Sequence, residues 1–395
     1  MKFEIEKELG NGRARAGKIE TPHGVIHTPA FIVVGTKATV KGLSPEQVAS
    51  LGAEAVLANT YHLYLEPGEK IMKDGGGLHK FMNWHGPTFT DSGGFQAFSL
   101  GAAFNNKASK IADRATVTAE VDETVTSHEA LAKVDEDGVT FKSIIDGSSH
   151  RFTPERSMEI QHAIDADIIF AFDECTSPHA SYEYQKEAMA RTHRWAQRSL
   201  DHHKKVGPKD QALFGIVQGG RHEDLRKESA ETIGAMDFDG FGIGGSFDKE
   251  DIYTAVGWVN DNLPKGKPRH LLGIGEPEDL FGGVENGVDT FDCVAPTRIA
   301  RNGSLYTRKG KINILNAKYR EDVGKIDPAC GCSMCRDYTP AYLAHLFRAK
   351  EMQAATLASI HNLYFIVNLV KEIRASIIDG SFFEFKERFL KEYIG

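Results

Sequence analysis

The sequence predicts an α/β fold, a (β/α)8 barrel, on three observations. These are the length of the chain, strand-like segments that alternate with helix-like ones, and polar residues where the strand-like segments end. A barrel of about 250 residues with an appended piece fits 395 residues as well as two or three ordinary domains do. The composition, 41% hydrophobic and 26% charged, is typical of a folded protein. An open doubly wound sheet is the alternative, but no G-x-G-x-x-G follows the first strand.

The predicted barrel strands are short β-rich segments, each ending at a glycine or a polar residue. In chain order they are FIVVGT (31–36), EAVLANT (54–60), PTFTDSGG (87–94), DIIFAFDE (167–174), ALFGIVQGG (212–220), GFGIGG (240–245), RHLLGIG (269–275) and DTFDCVAPT (289–297). The helix-like segments SPEQVASLG, TPERSMEIQHAID, RHEDLRKESAETIGAM and EPEDLFGGVENG begin with helix-start signals and carry apolar residues at three-to-four spacing. Eight strand-then-helix units favour a closed parallel barrel.

Polar groups collect at the carboxyl ends of the predicted strands. They are Asn59, Asp91, Asp173, Gln218, the backbone amides near Gly244 and Gly245, and Asp292. In an eight-stranded barrel these ends form the face on which active sites are built. A single Asp after a strand is often only the N-cap of the next helix. Three of them, each after β-like apolar residues, favour a site.

A cysteine cluster lies near the C-terminus, in DPACGCSMC (327–335). In a reducing cytosol, Cys330, Cys332 and Cys335 are better explained by a metal than by disulfides. His361 follows in a helix-like segment and can supply a fourth ligand, although a histidine simply packed in a helix is the alternative. Three thiolates and one imidazole form a closed tetrahedral Zn²⁺ site, which is structural because no position is open to water.

Charge and hydropathy indicate whether the protein can bind a membrane or a nucleic acid. No apolar run reaches the roughly 18 residues that span a bilayer, and the N-terminus lacks a signal-peptide core, so we expect a cytoplasmic protein without a membrane partner. The net charge of −8 argues against indiscriminate coating of nucleic acid. Residues 298–325 nevertheless carry eight Lys or Arg against two acidic residues, a patch that can bind phosphates. A solvated basic loop is the alternative.

Several motifs, in order, resemble those of the bacterial tRNA-guanine transglycosylases. They are FTDSGGFQ, AFDECT, GIVQGG, GFGIGG, TFDCVAPTR and CGCSMC with its later HN. The resemblance covers nearly the whole chain. It implies a zinc-containing TIM barrel, usually a homodimer, that binds the tRNA anticodon stem-loop. The reaction would exchange the wobble guanine of tRNAs with GUN anticodons for a 7-deazaguanine base, a step of queuosine formation.

The implied reaction breaks an N-glycosidic bond and remakes it at the same carbon with the same stereochemistry. Two displacements achieve this, and a carboxylate suits the role of nucleophile because it can form a glycosyl ester and later leave. By resemblance Asp292 is the nucleophile and Asp91 the general acid/base. From the residues alone the two roles could be exchanged.

Base recognition is inferred from donors and acceptors together with the resemblance. Guanine presents N1–H and its exocyclic amine as adjacent donors, which the Asp173 carboxylate can accept. Its O6 suits the side-chain amide of Gln218 and a backbone N–H near Gly245.

Further positions come from the family motifs. Phe95 and Leu272 match the residues that enclose the flipped base, although both could be ordinary core residues. Arg298 and Arg301 match positions that contact the anticodon bases flanking the target.

The incoming base and the domain limits are the remaining predictions. Cys175 matches relatives that accept preQ1, whereas SFDKED after Gly245 departs from the bacterial pattern, and its Asp248 could attract the amine of either preQ1 or the bulkier queuine. We favour preQ1. Residues 1–300 are predicted to form the barrel, with a mobile insertion at about 102–136. Residues 301–395 would form a zinc-binding and tRNA-contacting subdomain whose helices pack back on the barrel.

Other classes of protein account for less of the sequence. A metal-dependent barrel hydrolase would need His-x-His after an early strand, where only His27 occurs. A retaining glycosidase would use two carboxylates but would account for neither the basic patch nor the zinc site. A non-catalytic tRNA-binding homologue is disfavoured by the presence of both Asp91 and Asp292.

Overall fold

The computed structural model describes residues 1–10, 13–102, 111–112, 132–245, 247–248 and 252–395. Within these ranges eight parallel strands close a barrel, and every one overlaps a segment that the sequence predicts as a strand. The barrel strands are β4 (Ala30–Val34), β5 (Val56–Ala58), β6 (Thr88–Thr90), β11 (Ile168–Phe170), β12 (Ala212–Val217), β13 (Gly240–Ile243), β15 (Arg269–Leu271) and β16 (Thr290–Cys293). The predicted (β/α)8 fold is confirmed.

The barrel strands follow one another in chain order, and β16 pairs with β4 to close the ring. Their residues are almost entirely buried, as in β4, AFIVV, and β12, ALFGIV. Strands covered on both faces contain near-continuous apolar residues, which is why the sequence pattern identified them.

Short sheets outside the barrel are formed by further strands. They are β1 (Lys2–Glu8), β2 (Arg15–Thr21), β3 (Gly24–Thr28), β7 (Ile111–Ala112), β8 (Ala132–Asp135), β9 (Gly138–Lys142), β10 (Ser149–Phe152), β14 (Phe247–Asp248), β17 (Ser304–Thr307) and β18 (Gly310–Asn313). β1 to β3, β8 to β10 and β17 to β18 form antiparallel sheets, and β7 pairs in parallel with β14.

Four helices begin within the segments for which the sequence predicts a helix start, and two of these have side-chain caps. α1 has a capping box between Ser44 and Gln47, and the Thr153 side chain caps α6 by accepting from the Arg156 N–H. The helices are α1 (Pro45–Ser50), α2 (Thr60–Leu65), α3 (Glu69–Asp74), α4 (Gly77–Met82), α5 (Gly94–Ala102), α6 (Pro154–Ile164), α7 (Tyr182–Val206), α8 (Glu223–Gly234), α9 (Ile252–Asn262), α10 (Pro277–Glu285), α11 (Ala295–Ala300), α12 (Ser333–Asp337), α13 (Pro340–Arg348), α14 (Met352–Asp379) and α15 (Phe382–Ile394). In the part of the chain described, no helix has the length and apolarity needed to cross a bilayer.

The chain divides into two compact units. The first contains Met1 and residues 59–81 and 88–272, and the second contains residues 2–58, 82–87 and 273–395. Asp91 and Asp173 therefore belong to the first unit, and Asp292 with the cysteine cluster to the second. The division at residue 300 stays a prediction.

The predicted insertion at about 102–136 lies largely outside the described residues, which omit 103–110 and 113–131. Its last residues are described, and they form β8 and the turn after it. Glu136 in this turn accepts hydrogen bonds from Arg191 and Arg194, and its carbonyl accepts one from the Trp195 indole. These contacts attach the end of the segment to α7.

Candidate active site and metal centre

Asp91 follows β6 directly, and donors from both sides orient its carboxylate. Oδ1 accepts the Thr60 N–H at 2.8 Å, and Oδ2 accepts from Asn59 Nδ2 at 2.5 Å and Gln96 Nε2 at 2.8 Å. The Thr60 hydroxyl also donates to the Asp91 carbonyl. The side chain is only half-buried, so a fixed carboxylate remains accessible at the end of a barrel strand.

Asp173 lies after β11 and is buried together with Gln218, which follows β12. The Gln218 Nε2 donates to Asp173 Oδ2 at 2.7 Å, and the Ser92 hydroxyl donates to Oδ1 at 2.9 Å. A Cβ on Gly94 would lie 2.7 Å from the Asp173 carbonyl, so only glycine permits this close approach. The structure thus brings the two predicted base-binding side chains into direct contact.

The neighbouring Glu174 is buried and paired. Its carboxylate accepts from Arg191 Nη1 at 2.5 Å and from the Tyr184 hydroxyl at 2.6 Å. Burial, and then the bond to Glu174, raise the pKa of Tyr184 to about 12. The Glu174 carboxylate is thus already paired with Arg191. Asp173, next to it in the chain, is the carboxylate predicted to bind the base.

The other residues predicted to contact the base also lie in the first unit. Phe95 is the second residue of α5 and is half-buried, as are Leu272 and Cys175. Leu272 packs on β13, since a Cβ on Gly242 would lie 3.3 Å from its Cδ1. Gly245 follows β13 with φ of +110°, a conformation that side chains rarely adopt.

Asp292 is part of β16 and is half-buried. Its Oδ1 accepts the backbone N–H of Gly273 at 2.8 Å. This bond orients the carboxylate from the loop that follows β15 and leaves the side chain partly exposed. A carboxylate held in this way can serve as a nucleophile.

Arg298 and Arg301 lie at the C-terminal end of α11, the helix that follows Asp292. They are three residues apart and therefore adjacent on the helix surface. Arg298 is exposed, while burial and the repulsion of Arg298 lower the pKa of Arg301. Nη1 of Arg301 has no hydrogen-bond partner among the described residues. The exposed Arg298 can therefore contact an anionic or carbonyl partner directly, whereas Nη1 of Arg301 is buried.

Part of the basic segment 298–325 is neutralised within the fold. Lys311 pairs with Glu276 at 2.7 Å, and Arg308 pairs with Glu372. The other six basic residues form no ion pair with any residue that the structure describes. The patch predicted from composition is thus smaller than eight charges, and Arg298 and Arg301 are part of what remains.

The predicted zinc ligands converge in the second unit. His361 Nδ1 lies 3.7, 3.5 and 3.3 Å from the sulfurs of Cys330, Cys332 and Cys335. Ligands at normal Zn–S and Zn–N distances in a tetrahedron have a sulfur to nitrogen separation of about 3.5 Å. The four ligand atoms all lie within 4.8 Å of one another. The Cys3His set fits a closed zinc site, and the metal-site prediction is confirmed.

The histidine is oriented by a second contact. Its Nε2 donates to the Tyr306 carbonyl at 2.7 Å, which places the lone pair of Nδ1 towards the thiolates. The next residue, Asn362, is fully buried and donates to the carbonyls of Pro296 and Ser304, both at 3.0 Å. Because Pro296 lies in α11, the helix that carries the metal ligand also holds the segment after Asp292.

Comparison with known proteins identifies the family. The family model described as queuine tRNA-ribosyltransferase, TGT, matches residues 10–121 and 111–394. The chain belongs to this family, the tRNA-guanine transglycosylases. A queuine tRNA-ribosyltransferase of Caldanaerobacter subterraneus subsp. tengcongensis is 48% identical over 398 residues, which cover all of this chain and 98% of that protein.

Further relatives match over nearly their full length. Proteins with the same name from Desulforamulus reducens and Lactococcus lactis are 47% and 44% identical, each over 396 residues and all of this chain, and over 99% and 96% of the relative. The protein is thus a tRNA-guanine transglycosylase of queuosine synthesis, and the enzyme class predicted from the motifs is confirmed. The Cys3His cluster corresponds to the structural zinc of this family.

Sequence reasoning missed the residues that hold these groups in place. Ser92, Gln96, Arg226 and Asn362 donate to site residues or to the loops that carry them. Ser92 and Gln96 lie inside the FTDSGGFQ motif, and Asn362 is the N of HN, so their positions in motifs could have identified them. No comparable signal marked Arg226, which sits in an ordinary helix-start pattern.

Proposed function

We propose that this transglycosylase uses Asp292 as a nucleophile to form a covalent bond to the ribose, with Asp91 as general acid/base. The observation that supports the proposal is the placement of two oriented, half-buried carboxylates at the carboxyl ends of barrel strands. Zinc takes no part in the chemistry because protein ligands fill its coordination shell. Mapping an enzyme–RNA adduct by mass spectrometry tests the covalent bond.

In the proposed first displacement, an Asp292 oxygen attacks C1′ and the bond to guanine breaks, while Asp91 protonates the leaving base. In the second, the incoming base loses a proton to Asp91 and attacks C1′, and the ester to Asp292 breaks. Each step inverts C1′, so the product retains the starting stereochemistry. The hydrogen bonds from Asn59, Thr60 and Gln96 support this role, since they orient Asp91 in both steps.

The contact between Asp173 and Gln218 supports the proposed recognition of guanine. Each oxygen of Asp173 accepts a hydrogen bond from the protein and, with two lone pairs, can accept another from N1–H or the exocyclic amine of the base. Gln218 is held where its amide can also meet O6. Adenine offers no pair of adjacent donors and would leave the buried carboxylate unsatisfied.

We expect replacement of Arg301 by alanine to raise the KM for an anticodon stem-loop about tenfold and to leave the KM for the free base unchanged. A well-placed arginine contact to a base is worth about 1 to 3 kcal/mol. Lys311→Ala is the matched control, because its ammonium already pairs with Glu276. Steady-state kinetics of both variants check this, and equal effects on the tRNA KM would argue against a specific role for Arg301.

We propose preQ1 as the incoming base. Cys175 supports it, being a small half-buried side chain two positions after Asp173. Of the SFDKED segment, residues 246 and 249–251 and the side chain of Asp248 lie outside what the structure describes. Queuine is the second candidate, because the names of the relatives refer to it.

Competition between the two bases on one stem-loop substrate tests this choice. We expect kcat/KM for preQ1 to exceed that for queuine, because the larger substituent of queuine must fit the same pocket. A kcat/KM for queuine well above that for preQ1 would reverse the choice and leave transglycosylation untouched.

We also propose a homodimer in the cytoplasm, following the family resemblance and the reducing environment expected for a chain with so few cysteines outside the metal cluster. Light scattering that reports only a fully active monomer would count against the dimer.

A further inference from the structure

A buried arginine holds the loops that carry the proposed base contacts. Arg226 lies on α8 and is completely buried. Its Nε donates to the Gly220 carbonyl at 2.6 Å, and its Nη1 donates to the carbonyls of Gly244 at 2.8 Å and Val217 at 3.3 Å. One guanidinium therefore ties together the carboxyl ends of two adjacent barrel strands.

We propose that Arg226 is a positioning residue for base specificity, which holds Gln218 and Gly245 at the spacing that O6 of the base requires. The inference rests on the proposed roles of these two residues in binding O6. Arg226 itself would not touch the base.

The hydrogen-bond pattern shows why such a residue is needed. The main-chain ladder between β12 and β13 ends with Gly244 N–H donating to the Val217 carbonyl at 3.0 Å. The register of the two strands ends at Val217 and Ile243, and just beyond it Arg226 bridges the Gly220 and Gly244 carbonyls. It therefore sets the separation of the loops just where the strands cease to do so.

Ser229 holds the same loop from the same helix. Its hydroxyl accepts the backbone N–H of Gln218 at 3.2 Å. Ser229 lies three positions after Arg226 and therefore on the same face of α8. The helix thus fixes the main chain of Gln218 through Ser229 and the main chain on either side of it through Arg226.

The guanidinium of Arg226 and the amide of Gln218 pack closely against the loop that contains Gly244 and Gly245. A Cβ on Gly245 would lie 2.4 Å from Nη2 of Arg226, so the guanidinium lies directly behind this residue. A Cβ on Gly244 would lie 2.6 Å from Nε2 of Gln218, so the amide rests against the second loop. A shift of the guanidinium would therefore move both groups.

Only arginine suits this position. Its planar fork can donate to several carbonyls at once, whereas lysine presents a single charged point. Burial lowers the pKa of Arg226 to about 9, still above neutral, so it donates as a cation and its hydrogen bonds are the stronger charge-assisted kind. Burying a cation is costly, and three carbonyls at two strand ends provide compensation that ordinary packing would not require.

The test compares Arg226→Lys and Arg226→Met with wild type and with Arg269→Lys. Arg269 is a matched control because it is also buried and donates to a main-chain carbonyl, that of Leu263, but lies at the amino end of its strand. Thermal melts monitor folding. The kinetic readouts are the KM for guanine, the KM for tRNA, and the preference for guanine over 6-thioguanine, whose sulfur is a weaker acceptor.

We expect Arg226→Lys to raise the KM for guanine about tenfold, leave the KM for tRNA within about twofold, and reduce the preference for guanine over 6-thioguanine. Arg269→Lys should change none of these. A folded Arg226→Lys with an unchanged KM and preference, or the same changes in Arg269→Lys, would overturn the proposal.

Two further variants make the result decisive. If both Arg226 variants fail to fold, Ser229→Ala removes one contact to the same loop, and a guanine KM that stays at the wild-type value would overturn the positioning role of α8. Gln218→Ala distinguishes the proposed contact between Gln218 and the base from the proposed positioning role of Arg226. An unchanged guanine KM in Gln218→Ala would reject the base contact itself, whereas a raised KM there with no effect of Arg226→Lys would reject only the positioning role.

Discussion

Replacement of Asp292 by alanine is expected to lower base exchange by about 10⁴-fold or more, because removal of a covalent nucleophile eliminates the path through the glycosyl ester. The affinity for tRNA should change little, since Arg298 and Arg301 follow on α11 and do not depend on the carboxylate for their positions. Incorporation of labelled guanine into an anticodon stem-loop measures the first quantity, and a filter-binding titration measures the second.

Asp292→Asn is the control for structure in this experiment. The amide can still accept the hydrogen bond from the Gly273 N–H, so the strand end should keep its geometry. It cannot act as an anionic nucleophile and should be as inactive as the alanine variant. Exchange within about tenfold of wild type in either variant would rule out Asp292 as the nucleophile.

Replacement of Cys332 by alanine is expected to remove the bound zinc and destabilise the second unit. Cys332 is fully buried, and its sulfur lies 3.5 Å from His361 Nδ1. Zinc binding to such sites contributes on the order of 10 kcal/mol to folding in small domains. If even half of this is lost, the melting temperature should fall by about 10 °C or more.

Metal analysis and thermal melts test this prediction, with Cys175→Ala as the matched control. Cys175 is also a cysteine but lies outside the cluster, so its replacement should leave the zinc content at one per chain. Because Asn362 connects α14 to Pro296, we expect loss of zinc to disturb tRNA binding as well as stability. Wild-type zinc content in Cys332→Ala would contradict the ligand set.

Much of the barrel could be predicted from sequence because its strands are buried on both faces. Runs such as FIVVGT and ALFGIVQGG stand out from their surroundings, and the glycine or polar residue after each run marks the carboxyl end. The zinc site could also be predicted from a local pattern, because closely spaced cysteines favour a metal site over disulfides when a reducing environment is expected.

The supporting contacts could not be predicted in the same way. Ser92 and Asp173 are 81 positions apart, and Gln218 lies 45 positions beyond Asp173, so their hydrogen bonds depend on the closed barrel. The number of basic side chains left for a partner could not be predicted either, because Lys311 and Arg308 pair with acidic residues that are remote in sequence. Local patterns identify groups that can react, whereas tertiary contacts determine which of them remain available.

The most direct test of the covalent mechanism is to trap the enzyme with an anticodon stem-loop in the absence of an incoming base and map the attachment by mass spectrometry. We predict an RNA fragment bonded through ribose to the peptide that contains Asp292, and loss of this adduct in Asp292→Asn. An adduct on Asp91 would reverse the two catalytic roles. Active enzyme that forms no adduct at any residue would contradict the double displacement itself.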